Sequence, residues 1–382
     1  MVKVTCWGVG ILLLASSVGG CGKFFPPLDK SSSGGSSGSG GGTSTSSDYL
    51  YVANASSSLN NIAGFTISSG GLAVINSAGY SVPSTPTSIA VTPNNSFVYA
   101  GSAGAIYVYS IGSNGALTLG NSGNYVASGV APQALCIDSS GKWLIVVDAL
   151  TGYAYVYAIN SSTGALTPVS GSTVQLNSTT VQAAVLSPNN NYLYVALGSG
   201  GIETLSFNDS TGALAPVNGV VSPLANLNSD LSIAVSPNGD DLFVGETGTN
   251  GVRVFAIGSG GVIKEIKGSP FAAGLAPKAI LVDSTGSYVY VANRTDNTIS
   301  AFSLASDGTL TTISGSPFAA GTNPVALAED STNKYLAVVD AGGSPDLKLY
   351  SFSSTTPGAL VPFGTSATGT DPANAVAIAA TH

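Results

Sequence analysis

Short apolar runs cut by turn residues set the pattern of this chain. The clearest example is Ser232-Ile-Ala-Val-Ser-Pro-Asn-Gly-Asp-Asp-Leu-Phe-Val-Gly-Glu246. It reads as an apolar strand, a tight turn at Pro237-Asn238-Gly239, and a second apolar strand that ends on a carboxylate. No stretch holds the 3.6-residue apolar period of a long helix, and Tyr, Val and Thr are plentiful. The predicted elements are strands throughout.

The hairpin repeats. Its second strand recurs at Tyr49–Asn54, Phe97–Ser102, Trp143–Asp148, Tyr192–Leu197, Leu242–Glu246, Tyr288–Asn293 and Tyr335–Asp340. The copies end roughly 46 to 49 residues apart, a spacing expected of propeller blades. A third strand follows each copy, from Ile62–Ile67 to Leu347–Phe352, and a turn such as Ser162-Thr-Gly-Ala-Leu166 leads into a short fourth. The first strand is displaced by one step: its copies begin at Ser88–Thr92 and close on Asn374–Ile378. The folded part therefore opens on a second strand and closes on a first strand. A ring in which both ends complete one blade resolves the offset and removes an exposed sheet edge. The expected fold is all-β, a seven-bladed β-propeller over residues 48–382. Both faces of each blade pack on neighbours, so the inner strands should be apolar on both sides, as Ile233-Ala-Val and Ile280-Leu-Val are. Recurring aromatics such as Tyr99, Tyr157, Tyr194, Tyr290 and Tyr350 are expected to fill the space between blades.

Ahead of the repeats the pattern changes. Met1-Val-Lys3, the mostly apolar run Val9–Ala15 and the small residues Ser16–Gly20 describe a signal peptide over residues 1–20, too short to span a bilayer. Val18-Gly19-Gly20-Cys21 resembles a bacterial lipobox, which would make Cys21 a lipidated first residue with two acyl signals for stable anchoring. Ser, Gly and Thr then fill almost all of residues 31–47. Residues 21–47 are expected to be a flexible tether, whose Ser/Gly stretch has an r.m.s. reach of roughly 20–25 Å. The expected location is the bacterial cell envelope, extracytoplasmic and membrane-anchored.

Composition narrows the function classes. Only 8% of the 382 residues are charged, with a formal charge of −8 and Arg253 and Arg294 as the two arginines. Such a chain is not built to neutralise phosphates, so no nucleic-acid partner is expected. Cys136 is alone in the body and aligns with Ala90, Val185 and Ala234, which makes it a small buried hydrophobe. No nucleophile elbow, phosphate loop, HExxH or metal-spaced Cys/His set occurs, so no metal or cofactor is assigned, though a divalent cation in the central funnel stays open.

In a propeller the loops leaving second strands and entering first strands share one face. The residues ending the second strands are Asn54, Ser102, Asp148, Leu197, Glu246, Asn293 and Asp340, with carboxylates in alternating blades. Arg294 follows Asn293. The loop position before the first strand reads Pro86, Pro132, Val181, Asp230, Pro277, Pro324 and Pro372, so Asp230 replaces a proline; Lys278 follows Pro277 at the channel mouth. These groups would position a polar ligand, activate water or hold a cation; the plainer account is that strand-end polar residues cap backbone groups. Glu329 aligns with Val91, Ile137, Leu186, Val235 and Val282 at the apolar centre of the innermost strand. A carboxyl there should have a raised pKa unless a cation or N–H donors meet it. The expectation is a water-filled channel, with a role as general acid/base or ligand contact as the alternative.

Tyr288-Val-Tyr-Val-Ala-Asn293, the Ser-Pro-Asn-Gly turn, and the tandem Gly268-Ser-Pro-Phe-Ala-Ala-Gly274 and Gly315-Ser-Pro-Phe-Ala-Ala-Gly321 resemble the seven-bladed lactonase-type propellers, which include 6-phosphogluconolactonase-like and YVTN-repeat proteins. The resemblance covers nearly all of 48–382. It implies the propeller fold and, where a member is an enzyme, lactone chemistry in the funnel using His, Arg and acidic groups. Here the single His is His382. The leading expectation is a lipid-anchored, monomeric binding or scaffolding module with an envelope protein or a small polar ligand as partner. The alternatives are a lactone hydrolase using Asp148, Glu246 or Asp340 with Arg294 or Lys278, and a structural surface protein without a ligand.

Overall fold

The structure, a computed structural model, describes residues 48–55, 60–223, 228–368 and 375–382. The expected signal peptide, Cys21, the tether, Pro372 and Asn374 lie outside the described residues. Seven antiparallel sheets of four strands or more form the blades, each built inner, second, third, outer in chain order. Blade 1 is the exception that closes the ring: Ala375–Ala380 is its inner strand and pairs antiparallel with Asp48–Ala55, Val52 opposite Ile378. Thr381 extends that closure, donating its N–H to Tyr49 O and accepting the Tyr49 N–H on Oγ1, each at 2.9 Å. No helix among the described residues is long and apolar enough to cross a membrane.

Period-2 alternation explains why the core is divided. Successive residues of an inner or second strand point to opposite faces, and both faces are covered by neighbouring blades. Ala134, Cys136, Ile145 and Val147 pack toward blade 4 with Leu193 and Val195. Leu135, Ile137, Leu144 and Val146 of the same strands pack toward blade 2 with Tyr99 and Ile106. Seven such clusters occupy the seven interfaces between blades. Each fully buried Leu, Ile or Val contributes roughly 1.5–3 kcal/mol against exposure. Cys136 is one of these packing residues, buried with its Sγ 3.6 Å from Ala184 O.

The recurring aromatics act between blades. Tyr51, Tyr99 and Tyr290 each donate a buried hydroxyl to a glycine carbonyl of the following blade, Gly115, Gly164 and Gly358, at 2.8–2.9 Å. Gly164 has φ 69° and lies so close to Phe97 that a Cβ would collide with the ring. A left-handed glycine is what lets the aromatic lie on the backbone there.

Two boundaries differ from expectation. In six blades the inner strand is entered across a β-bulge and in blade 4 it starts later; in four of the six it begins at Pro86, Pro132, Asp230 or Pro277, and in a fifth it begins at Thr322 and includes Pro324. These positions belong to the sheet, not the preceding loop. Proline is tolerated at the first residue of a strand, where its missing N–H costs no ladder bond. Asp230 therefore stands directly opposite Glu246 in register. Glu329 also differs: its alignment holds, opposite Leu336, but it is the last residue of its strand and half-buried at the turn end.

Candidate functional site

The face carrying the loops after the second strands brings most of the expected residues to one level, yet each is engaged inside its own blade. Asp148, Asp230, Glu246, Asn293 and Asp340 are all fully buried. Asp148 Oδ1 accepts the N–H groups of Leu150 (2.7 Å) and Thr151 (3.2 Å), closing the loop that follows it. Asn293 donates to Thr298 Oγ1 (3.1 Å) and Ser300 Oγ (2.9 Å). Asp340 accepts the Gly321 N–H at 3.2 Å, and a Cβ on Gly321 would collide with the carboxylate. Burial drives Asp340 up to about 7, opposed by the nearby Lys348.

Blade 5 carries an ion cluster. Arg253 on the third strand donates to Glu246 Oε2 (3.1 Å), to Ser222 O (3.0 Å), and through two nitrogens to Glu265 at 3.1 and 2.8 Å. Asn228 Nδ2 donates to the other oxygen of Glu246, and Ser269 Oγ to Glu265 at 2.7 Å. Asp230 faces Glu246 with no donor on either of its oxygens among the described residues. Burial first, and the Glu246 carboxylate second, push Asp230 up to about 7. Burial also works against ionised Glu265, but the hydrogen bonds from Arg253 and Ser269 outweigh it and hold that carboxyl low.

The start of the inner strands is where a side chain reaches across from one blade to a non-adjacent one. The residue skipped at each inner-strand bulge is Thr87, Gln133, Leu231, Lys278, Val325 or, in blade 1, Val376, and Gln182 occupies the matching place in blade 4. Lys278 Nζ of blade 6 meets Gln182 Oε1 of blade 4 at 3.5 Å, reaching past blade 5 between them. Lys278 is 3% exposed. Burial, and after it the charge of Arg294, push its ammonium down to about 7. Arg294 is half-buried at the start of the blade 6 loop, its N–H bonded to Ala276 O at 2.9 Å.

Glu329 lies apart from this face. Its Oε2 accepts the Ser284 N–H of the blade 6 turn at 2.8 Å, and burial raises it to about 7. The expected place in a water-filled channel is therefore corrected: the carboxylate ties the turn of one blade to the next. The reason is that the inner strand ends there, so a side chain in an otherwise apolar row meets a neighbour's exposed turn backbone.

Sequence reading missed Glu203, Glu265, Lys348 and Gln182. Glu203, Arg253, Ser300 and Lys348 share one register row of the third strand, each opposite the residue two before the end of the second strand. That row was the available signal, because polar residues recur in it against an apolar background. No group of His, Cys, Asp and Glu suited to a metal ion occurs among the described residues.

The sequence model described as lactonase, 7-bladed beta-propeller, matches residues 44–183 and 267–376. The stretch between, blade 4 and most of blade 5, includes the ion cluster. No curated protein sequence matches the chain. Among solved structures, a putative 6-phosphogluconolactonase from Bacteroides uniformis aligns at TM-score 0.73 and 17% identity, covering 88% of this chain and 100% of that one. A periplasmic gluconolactonase from Pseudomonas aeruginosa aligns at 0.70 and 16%, covering 88% and 99%. A Lactobacillus plantarum protein aligns at 0.72 and 20%, covering 88% and 100%. At these identities the likeness is one of fold.

Proposed function

The chain belongs to the lactonase family of seven-bladed β-propellers, and from that premise we propose that it serves as a lipid-anchored, extracytoplasmic binding or scaffolding module of the cell envelope. The observation that carries this reading is the burial of Asp148, Glu246 and Asp340 within their own blades. A general base must reach a substrate or its water, and these carboxylates are buried at 0% exposure, each with at least one oxygen engaged in loop closure, an ion pair or a glycine N–H. The lipobox-like Val18–Cys21 and the Ser/Gly tether support the anchored location.

A lactone hydrolase of the 6-phosphogluconolactonase type, acting in the central funnel, is the second reading. Family membership favours it, as does an amine near neutrality at the mouth, where Lys278 and Arg294 would steady an oxyanion.

The test is hydrolysis of a lactone panel, including 6-phosphogluconolactone, by the full chain extracted in detergent, with and without divalent cations. The expected outcome is no turnover above the spontaneous rate. Turnover that disappears in Asp148→Ala, Glu246→Ala or Asp340→Ala replaces the binding reading with the enzymatic one.

A further inference from the structure

Eight large apolar side chains are exposed among the described residues, and three of them share one place. Val74, on the outer strand of blade 1 (Gly71–Val74), is 50% exposed. Val361 and Phe363, on the outer strand of blade 7 (Leu360–Ser366), are 45% and 37% exposed, and the two outer strands lie alongside each other. The other five are scattered over blades 2 to 5 and the loop into blade 6. Register explains the grouping, because residues directly opposite each other across antiparallel strands point to the same face. Val74 stands opposite Phe65, itself opposite Leu50, and both of those are buried in the core between blades 7 and 1. Val361 stands in the same way beyond Ser351 and Tyr335, and Tyr335 packs on that core from blade 7. A bulge between Pro362 and Gly364 skips Phe363, whose ring lies 4.7 Å from that of Tyr335. The core between blades 7 and 1 thus runs out to the rim and ends there on exposed apolar side chains. Contiguous exposure of this kind marks an interaction site, where single scattered residues do not.

The occupant follows from where the chain arrives. Asp48 is two residues before Leu50, about 12 Å from Val74 by strand spacing and rise. Its Oδ1 accepts a hydrogen bond from Ser331 of blade 7, so the chain enters between the same two blades. The preceding tether, residues 31–47, has a reach of roughly 20–25 Å. Beyond it lies Phe24-Phe25-Pro26-Pro27-Leu28, the one apolar stretch between Cys21 and the first strand. We propose that this segment packs on the rim of blades 7 and 1, seated on Phe363, Tyr335, Val361 and Val74. Consecutive prolines pre-set an extended backbone, so little freedom is lost on docking, and such segments favour aromatic surfaces. Strand addition is not the mode, because Pro362 on the edge and Pro26 and Pro27 all lack an N–H. A short flexible linker holds the segment at an effective concentration on the order of 1 mM. An intrinsic dissociation constant of about 0.1 mM then keeps about ten chains docked for each one free. The consequence for orientation rests on the anchored reading. Cys21 is three residues from the segment, so docking turns the wall of blades 7 and 1 to the bilayer and leaves the loop-bearing face sideways, open to a partner.

The test treats the full chain in phosphatidylcholine vesicles briefly with chymotrypsin and follows cleavage after Phe24 and Leu28 by mass. Docked residues are cut only from the free population, so cleavage should quicken about tenfold in the double variant Val361→Ser, Phe363→Ser. Val262→Ser, which removes an exposed apolar side chain from blade 5, should leave the rate unchanged. Reciprocally, Phe24→Ser with Phe25→Ser should speed hydrogen exchange of residues 360–366 several-fold, a readout that leaves the propeller sequence intact. Cleavage as fast in the natural chain as in the rim variant overturns the proposal. So does slow cleavage that survives the rim variant, which would place the segment in the bilayer. Protection that rises with protein concentration would seat a second copy on the rim and overturns it too. Lactone turnover bears on none of these readouts, so this failure is separable from that of the binding reading.

Discussion

Blades 5 and 6 share a sequence pattern and differ in charge. Both carry the Gly-Ser-Pro-Phe-Ala-Ala-Gly heptapeptide, and in both the serine hydroxyl accepts a third-strand N–H, Ser269 from Val254 (3.1 Å) and Ser316 from Ala301 (2.9 Å). At four matching positions, however, blade 5 has Asp230, Glu246, Arg253 and Glu265 where blade 6 has Pro277, Asn293, Ser300 and Thr312. In the second set Asn293 donates neutral hydrogen bonds to Thr298 and Ser300; in the first Glu246 and Glu265 pair with the Arg253 guanidinium. The geometric task, joining the second, third and outer strands beneath the loop face, is the same. Placing two buried carboxyl groups and a half-buried one around one guanidinium is a costlier way to do it, because desolvation must be offset by close contacts. It also ties in residues flanking the entry to the inner strand, through Ser222 O and Asn228. The family match omits blade 5 up to residue 267 and includes blade 6. Strand pairing, then, is common to both blades while the chemistry within it is free to change.

Removing the guanidinium breaks the comparison most severely. Arg253→Met leaves Glu246 buried and Glu265 half-buried without their counter-ion, and urea unfolding should show a loss of about 3–5 kcal/mol, larger at alkaline than at acidic pH. A loss within about 0.5 kcal/mol would mean that the cluster is solvated and the contrast with blade 6 superficial.

The next effect is one of pH. Asp230, Asp340 and Glu329 are raised to about 7 and Asp241 to about 6, all with burial as the first cause. Their unfolded values lie near ~3.9–4.3, so the folded state binds more protons across the interval. Stability should therefore fall as pH rises from about 4 to about 7 and flatten above that, with the depressed Lys278 acting in the opposite direction only beyond about 7. Asp230→Asn removes its share: the melting temperature should vary less with pH and exceed that of the natural protein above neutrality. Equal slopes in the two proteins would place the titration elsewhere.

The smallest expected change sharpens the neutral side. Ser300→Ala removes one of the two acceptors of Asn293 and should cost about 1 kcal/mol, independent of pH between acid and neutral. A pH-dependent loss there would show that blade 6 is coupled to ions after all.

What the sequence determined by itself was the repeat, the seven blades, the offset that closes the ring, and the packing role of Cys136 and the aromatics. These follow from period-2 alternation and turn chemistry, which act over a few residues and are written locally. The tertiary structure alone decided where the charges go. A single extra residue at each bulge carried Asp230 into register with Glu246 and turned Lys278 toward the channel. The end of an inner strand placed Glu329 on a neighbouring turn, and the third-strand row gathered Glu203, Arg253 and Lys348, which no motif links. Ion pairing and desolvation depend on distances between strands remote in sequence, and those distances exist only once the ring has closed.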